Sequence, residues 1–168
     1  AFYKCVNRVD SSYIRTEADE IQYNLHVMLR FDLEKLLIAG DLEVDDVESA
    51  WNERFEADFG YKIERPSHGV LQDVHWAAGA FGYFPTYTLG NVYAGCLFQK
   101  MTDDIPDLDV ALSSGKLGLA TEWLRKNIHV HGSLYEPKTT IEKATGAKVT
   151  VKPLLNYLEE KYRDIYDL

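Results

Sequence analysis

The segment SYIRTEADEIQYNLHVMLRFDLEKLLI, residues 12–38, carries the clearest structural pattern in the chain. Its apolar residues recur at steps of three and four, the spacing that places them along one side of an α-helix. They are Ile14, Ala18, Ile21, Leu25, Met28, Leu29, Leu33, Leu36 and Leu37. Gly40 follows as a typical helix stop. The pattern predicts one long helix over residues 12–38.

A polar stripe follows one flank of this predicted helix. Its members are Arg15, Asp19, Gln22, His26 and Arg30, which are three or four residues apart. The simplest interpretation is a solvated face, in which Arg15 and Asp19 form an exposed ion pair worth about 0.3–0.5 kcal/mol. An arginine flanked by apolar residues has a second use, because its planar guanidinium matches a carboxylate with two hydrogen bonds.

The rest of the chain also has helical patterns, and no linker divides it. Further helices are predicted over residues 45–59, 71–80, 85–101, 106–115, 116–130, 137–145 and 153–166. Only residues 148–151 look strand-like, and they are too short to build a sheet. The sequence therefore predicts an all-α fold of seven or eight helices, forming a single domain over residues 1–168.

Composition limits the classes of partner. Eighteen basic and 27 acidic residues give a net charge of −9, which disfavours nucleic acid and anionic membranes as partners. Cys5 and Cys96 lie among apolar neighbours and are predicted to be buried free thiols in a reducing, cytoplasmic environment. The chain opens at Ala1 without a signal-like segment, so it is expected to be a processed protein or a piece of a longer one.

Residues 74–99 contain no Asp, Glu, Lys or Arg, although charged residues make up 27% of the chain. The run mixes seven aromatic residues and four glycines with hydroxyl and amide side chains. Those glycines, Pro85 and the polar groups would be costly in lipid, so a membrane span is disfavoured. A buried surface that presents polar groups to a ligand fits better, with a plain core as the alternative.

Metal and hydrolase motifs are missing from the sequence. It has five histidines but no HExxH, no CxxC and no histidine pair one helical turn apart. It also has no GxSxG nucleophile motif. On the residues alone, His75, Tyr83 and Tyr87 fit a core position at least as well as a catalytic one.

Two motifs resemble those of a known family. IRTEAD at residues 14–19 matches IRxxAD, and GVLQDVHW at residues 69–76 matches GxxQDxHW in full. In this order they resemble the carboxypeptidase Taq family of metallocarboxypeptidases. The resemblance continues through residues 81–91 and into residues 157–162, so it covers essentially the whole chain.

This resemblance implies part of a larger, nearly all-α enzyme with a long groove, which removes C-terminal residues from peptides with zinc or cobalt. In the family, the two histidines and the glutamate of HExxH, with a downstream glutamate, precede IRxxAD and provide the metal ligands and the general base. None of them exists here. The chain therefore resembles the C-terminal, substrate-binding part of such an enzyme and is expected to be inactive alone, because it cannot activate a water molecule.

The resemblance also implies roles for particular residues. Arg15 would bind the free carboxylate of a peptide substrate, and Asp19 would orient Arg15. Gln72 and Asp73 would line the groove near the metal.

The same resemblance gives catalytic roles to His75, beside the metal, and to Tyr83 or Tyr87, either of which would donate a hydrogen bond to the tetrahedral intermediate. The alternative is a non-catalytic all-α module that kept the peptide-binding groove. If the chain is a fragment and the missing part normally covers the groove, apolar surface around Trp76, Phe81 and Phe84 is expected to be exposed and to favour self-association or a homodimer.

Overall fold

The computed structural model describes residues 2–168, with Ala1 outside them, and regular structure in this range is helical throughout. Its α-helices are α1 Phe2–Val6, α2 Glu20–Ala39, α3 Val47–Phe59, α4 Pro85–Asp104, α5 Leu108–Ser113, α6 Gly118–Asn127, α7 Pro137–Thr145 and α8 Lys152–Tyr166. Short 3₁₀ helices occur at Arg15–Glu17, Val44–Asp46, Pro66–His68, Val70–Gln72 and His129–His131. The predicted all-α class is confirmed, and residues 148–151 form no strand.

The chain divides into two compact units, one ending at Thr88 and the other formed by Leu89–Leu168. The boundary falls within α4. That residues 1–168 behave as one domain stays a prediction.

The long helix α2 starts at Glu20, so the prediction that it begins at residue 12 was wrong. Asp19 ends the non-helical segment, because its carboxylate accepts the backbone N–H groups of Ile21 at 2.9 Å and Gln22 at 3.0 Å. Such a cap pairs backbone N–H groups of the first turn that have no acceptor within the helix. Arg15 consequently lies on a separate 3₁₀ turn, although Ile14 continues the helical spacing in the sequence.

The predicted helix over residues 71–80 is also absent. The 3₁₀ turn Val70–Gln72 ends at Asp73, whose backbone is extended, with φ −117° and ψ 147°. Single turns then lead to Gly79 and Gly82, whose φ values of 74° and 77° suit glycine far better than other residues. Residues 71–80, whose sequence pattern predicts a helix, therefore form a series of turns that directs their polar side chains inward.

The first unit packs α2 against α3. Leu29, Leu33, Trp51 and Phe55 form its core, with side chains at most 3% exposed. Tyr13, Val70 and Trp76 pack around this core from outside the two helices. The turn segments that carry both motifs are thereby fixed against a rigid pair of helices.

The second unit has its own core of Met101, Leu108, Trp123 and Ala144. Its helices approach closely at Gly95 of α4, where an added Cβ would lie 2.9 Å from the backbone nitrogen of Leu154. Both cysteines are free thiols. The prediction of burial is confirmed for Cys96 in this unit, whereas it is wrong for Cys5, which is exposed.

Candidate functional site

Asp73 joins two arginines in the interior of the first unit. Its Oδ1 accepts hydrogen bonds from Arg15 Nη2 at 2.6 Å and Arg15 Nε at 3.2 Å. Its Oδ2 accepts a hydrogen bond from Arg30 Nε at 2.6 Å. The two motifs of the sequence therefore meet at a single carboxylate, and Arg30 of α2 completes the group.

This cluster is buried, which corrects the interpretation of the polar stripe as a solvated face. The side chains of Arg15, Asp73 and Arg30 are 8%, 10% and 0% exposed. Aromatic rings surround the two guanidinium groups: Arg30 lies 4.5 Å from the Trp51 ring centroid, and Arg15 lies 5.1 Å from that of Tyr87. Cations over ring faces gain electrostatic stabilisation that partly replaces lost hydration.

Burial and pairing act in opposite directions on the ionisable groups. Burial favours the neutral form of Asp73, but the hydrogen bonds and charges of Arg15 and Arg30 outweigh it and lower the pKa of the carboxyl. Burial lowers the pKa of Arg30 to about 10 despite the nearby Asp73. For Arg15, burial is outweighed by the hydrogen bond and charge of Asp73, which raise the pKa. All three groups are therefore charged at neutral pH.

Gln72 holds the two motifs together through the backbone. Its Oε1 accepts the N–H of Arg15 at 2.9 Å, and its Nε2 donates to the carbonyl oxygens of Tyr13 and His68, both at 2.9 Å. Asp19 acts on the helix instead, as the N-terminal cap of α2. The expectation that Asp19 orients Arg15 is therefore corrected, because the carboxylate that holds the guanidinium belongs to Asp73.

The three predicted catalytic residues lie together next to this cluster. His75 Nε2 and the Tyr87 hydroxyl are 3.0 Å apart, and His75 Nδ1 is 3.9 Å from Asp73 Oδ1. The Tyr83 ring packs edge-on against Tyr87, with centroids 5.4 Å apart. Tyr83 is 51% exposed, whereas His75 and Tyr87 are half-buried. The two tyrosines thus differ, because Tyr83 is the more exposed and the Tyr87 hydroxyl is paired with His75.

The apolar surface expected around this segment is smaller than predicted. Phe84 is 1% exposed, so its predicted exposure was wrong. Phe81 is 42% exposed and stacks on half-buried Trp76 with ring centroids 6.1 Å apart. The Trp76 indole N–H donates to Glu34 Oε1 at 2.9 Å, which fixes this ring from α2.

Sequence reasoning missed Arg30 and Glu34 as members of the site. Both lie on α2 between core residues, and they are 0% and 3% exposed. Charged side chains at such positions are almost never fully buried unless they are paired. Their place beside Leu29 and Leu33 was the available signal, although it could not identify their partners.

The residues that the structure describes do not fit a metal. Within residues 2–168, no three His, Cys, Asp or Glu side chains are grouped so as to hold an ion. In the same range, no helix is long and apolar enough to cross a membrane.

Comparisons with known proteins agree over nearly the whole chain. A family model described as carboxypeptidase Taq (M32) metallopeptidase matches residues 1–162. The chain is 43% identical over 165 residues to thermostable carboxypeptidase 1 of Thermus thermophilus, a match that covers 98% of this chain and 32% of that protein. It is 40% identical over 165 residues to carboxypeptidase 1 of Bacillus subtilis, where the match covers 98% of this chain and 33% of that protein. The chain thus spans about a third of these relatives, and the matched part is their C-terminal third.

Solved structures give the same result. The M32 carboxypeptidase from Deinococcus radiodurans R1 superposes with a TM-score of 0.95 and 39% identity, over 99% of this chain and 34% of that one. Metallocarboxypeptidase 1 of Trypanosoma cruzi superposes with a TM-score of 0.91 and 35% identity, over 95% of this chain and 34% of that one.

Proposed function

The chain belongs to the carboxypeptidase Taq (M32) family of metallopeptidases, and from that premise we propose that it is the C-terminal, substrate-binding portion of a metal-dependent carboxypeptidase. Such an enzyme hydrolyses C-terminal residues from peptides. The observation that carries the proposal is the buried group in which Arg15 and Arg30 share the single carboxylate of Asp73. A site with surplus positive charge suits the free carboxylate that marks the end of a peptide.

Arg15 is the residue proposed to bind this carboxylate. It is held from one side by Asp73 and through its backbone by Gln72, so its position is fixed before a ligand arrives. Preorganisation of this kind lowers the entropic cost of binding. Peptides with an amidated C-terminus lack the charge that Arg15 would neutralise and should bind more weakly.

Tyr83 is the better placed of the two phenols to donate a hydrogen bond to the oxyanion of a tetrahedral intermediate. Tyr83 is 51% exposed, and its hydroxyl forms no hydrogen bond among residues 2–168. The Tyr87 hydroxyl is engaged with His75 at 3.0 Å. In the proposed site, the His75–Tyr87 pair therefore lines the peptide-binding groove, and the Tyr83 hydroxyl donates the hydrogen bond to the oxyanion.

The parent enzyme is proposed to use zinc or cobalt. The residues described here do not provide its ligands, so catalysis is proposed to need further residues and this chain alone to be inactive. The test incubates purified chain with Zn²⁺ or Co²⁺ and an N-blocked dipeptide and measures the released amino acid. No release above the metal-only blank is expected. Sustained release that increases with protein concentration would refute the proposed inactivity.

Binding tests the substrate contact separately. Calorimetry would compare an N-blocked peptide with a free C-terminus against its C-terminal amide, for the wild type and for Arg15→Ala. We expect the wild type to prefer the free carboxylate by at least about tenfold, since a hydrogen bond to a charged group contributes about 1.5–3 kcal/mol and about 1.4 kcal/mol corresponds to a factor of ten. Arg15→Ala should bind both forms equally, whereas the exposed Arg163→Ala on α8 should behave as the wild type. Equal binding of both peptides by the wild type would refute the carboxylate contact.

The rival function is a non-catalytic all-α module that binds peptides in the same groove. The two differ in the role of Tyr83. A binding module needs this phenol only for affinity, whereas the carboxypeptidase needs it for turnover. Tyr83→Phe should therefore leave peptide affinity of the chain nearly unchanged, with Tyr166→Phe as the control for an exposed phenol. A large loss of affinity in Tyr83→Phe alone would favour the module.

A further inference from the structure

The hydrogen-bonded trio of Arg15, Asp73 and Arg30 contains two positive charges and one negative charge. Arg15 and Arg30 are both cationic at neutral pH, and the carboxylate of Asp73 is the only anion hydrogen-bonded to either guanidinium among residues 2–168. Asp73 divides its two oxygens between them, Oδ1 to Arg15 and Oδ2 to Arg30. Within this hydrogen-bonded trio, two guanidinium groups therefore share one carboxylate, because the other buried carboxylate of the site, Glu34, is hydrogen-bonded to the Trp76 indole instead.

Arg30 cannot bring this charge to a ligand. Its side chain is 0% exposed, its Nε donates to Asp73, and its Nη1 donates to the carbonyl oxygen of His26 at 2.7 Å. The indole of Trp51 covers one face, 4.5 Å from the guanidinium carbon. Asp73, His26 and Trp51 therefore block a ligand from reaching the Arg30 guanidinium on the sides that they cover.

Arg15 differs in both accessibility and free hydrogen-bond donors. It keeps 7% of its surface exposed. A guanidinium has five N–H donors, and Arg15 uses one each on Nε and Nη2 for Asp73 and one on Nη1 for the Tyr23 hydroxyl at 3.3 Å. Two N–H groups of Arg15 are thus left to donate to a ligand. Arg15, and not Arg30, is therefore the arginine that can contact a substrate carboxylate.

We propose that Arg30 is a specificity-determining residue: by neutralising Asp73 it leaves the charge of Arg15 available for the substrate carboxylate. This inference rests on the proposed function. Without Arg30, Asp73 would neutralise Arg15, and the resulting neutral pair would attract a peptide carboxylate only weakly. Asp73 would then orient Arg15 and at the same time oppose its function, since a carboxylate repels the incoming anion at short range.

A charge-balance series tests the inference. Arg30→Met keeps the length of the side chain and brings the cluster charge from +1 to 0. Adding Asp73→Asn to it restores +1, now on Arg15 alone. Arg30→Lys keeps the charge throughout. For each variant, calorimetry gives the ratio of affinities for a peptide with a free C-terminus and for its amide.

We expect Arg30→Met to reduce this ratio by about tenfold and the double variant to recover most of it. Arg30→Lys should keep the ratio within about threefold of the wild type. Arg54→Met is the matched control, because Arg54 of α3 is 37% exposed and pairs with Asp32 and Asp58 outside the cluster. Circular dichroism would verify that each variant is folded, and Arg30→Lys provides a test with the charge intact if Arg30→Met does not fold.

The outcomes separate the two claims. If the wild type shows no preference for the free carboxylate, the proposed role of Arg15 fails. If the wild type shows it but Arg30→Met keeps it, or the double variant fails to recover it, the proposed function stands and the inference about Arg30 is overturned. A loss of the preference in Arg30→Lys would also overturn it, since a purely structural role of the guanidinium would then explain the data.

Discussion

His26 should make the first unit unstable in mild acid. This histidine is 0% exposed on α2, with its ring 4.5 Å from that of Phe59. Burial, and secondarily the positive charge of Arg30, lower its pKa from 6.5 to about 4. A group with a lowered basic pKa binds fewer protons folded than unfolded, so stability is complete above the unfolded pKa and is lost as the pH falls from 6.5 towards 4.

The size of this effect follows from the two pKa values. One pKa unit corresponds to about 1.4 kcal/mol, and the titration of a single group between pH 7 and pH 4.5 then removes about 2.4 kcal/mol. Asp73 does not contribute in this window, because its pKa is lowered and its stabilising effect is lost only under more acidic conditions.

The assay is urea unfolding at pH 7 and pH 4.5, followed by tryptophan fluorescence in a Trp123→Phe background. Trp51 and Trp76 then report on the first unit alone. The comparison is between the protein with His26 and the His26→Phe variant. The His26 ring packs against Phe55 and Phe59, and a phenylalanine ring in its place cannot ionise. Because the two proteins differ only at position 26, the difference between their pH dependences isolates the contribution of His26.

We expect the free energy of unfolding to fall by about 2.4 kcal/mol more in the histidine protein than in His26→Phe over this pH range. Equal losses in the two proteins would refute the reasoning, because they would show that His26 protonates as easily folded as unfolded.

Three further outcomes are expected. Asp73→Asn should lower the free energy of unfolding, measured in urea, by about 3–5 kcal/mol, because it leaves two buried arginines without their shared carboxylate. The control Asp58→Asn, at a surface pair, should lower it by at most about 1 kcal/mol. Similar losses in the two variants would contradict the buried network. Gly95→Ala should destabilise the second unit, because the new Cβ meets the Leu154 backbone. Gly90→Ala on the same helix has open space around the new Cβ and should raise the free energy of unfolding by up to about 1 kcal/mol. The two variants should therefore shift the thermal unfolding temperature in opposite directions, and shifts in the same direction would contradict the close packing at Gly95. Light scattering should detect a homodimer that Phe81→Ser weakens, and a monomer at all concentrations would contradict the predicted self-association.

The sequence by itself determined the fold class and the position of most helices. Apolar spacing with a proline at the start and a glycine at the end located α7 to the residue, because these signals act within a few positions of the chain. The same local signals failed in both motifs. The helical spacing extends through Ile14 and conflicts with a second local signal, because Asp19 followed by Gln22 is the pattern of a capped helix start, and the structure follows the cap.

The two motifs identified the family, but they did not show which polar residues interact. Gly69 and Ile14 belong to segments more than fifty residues apart in the chain. Only the tertiary packing of the first unit brings Asp73 to both Arg15 and Arg30, so that its carboxylate bridges the two guanidinium groups. A buried charge is stable only where tertiary structure supplies its partner, so pairing, burial and the pKa shifts that follow from them were decided by the tertiary structure alone.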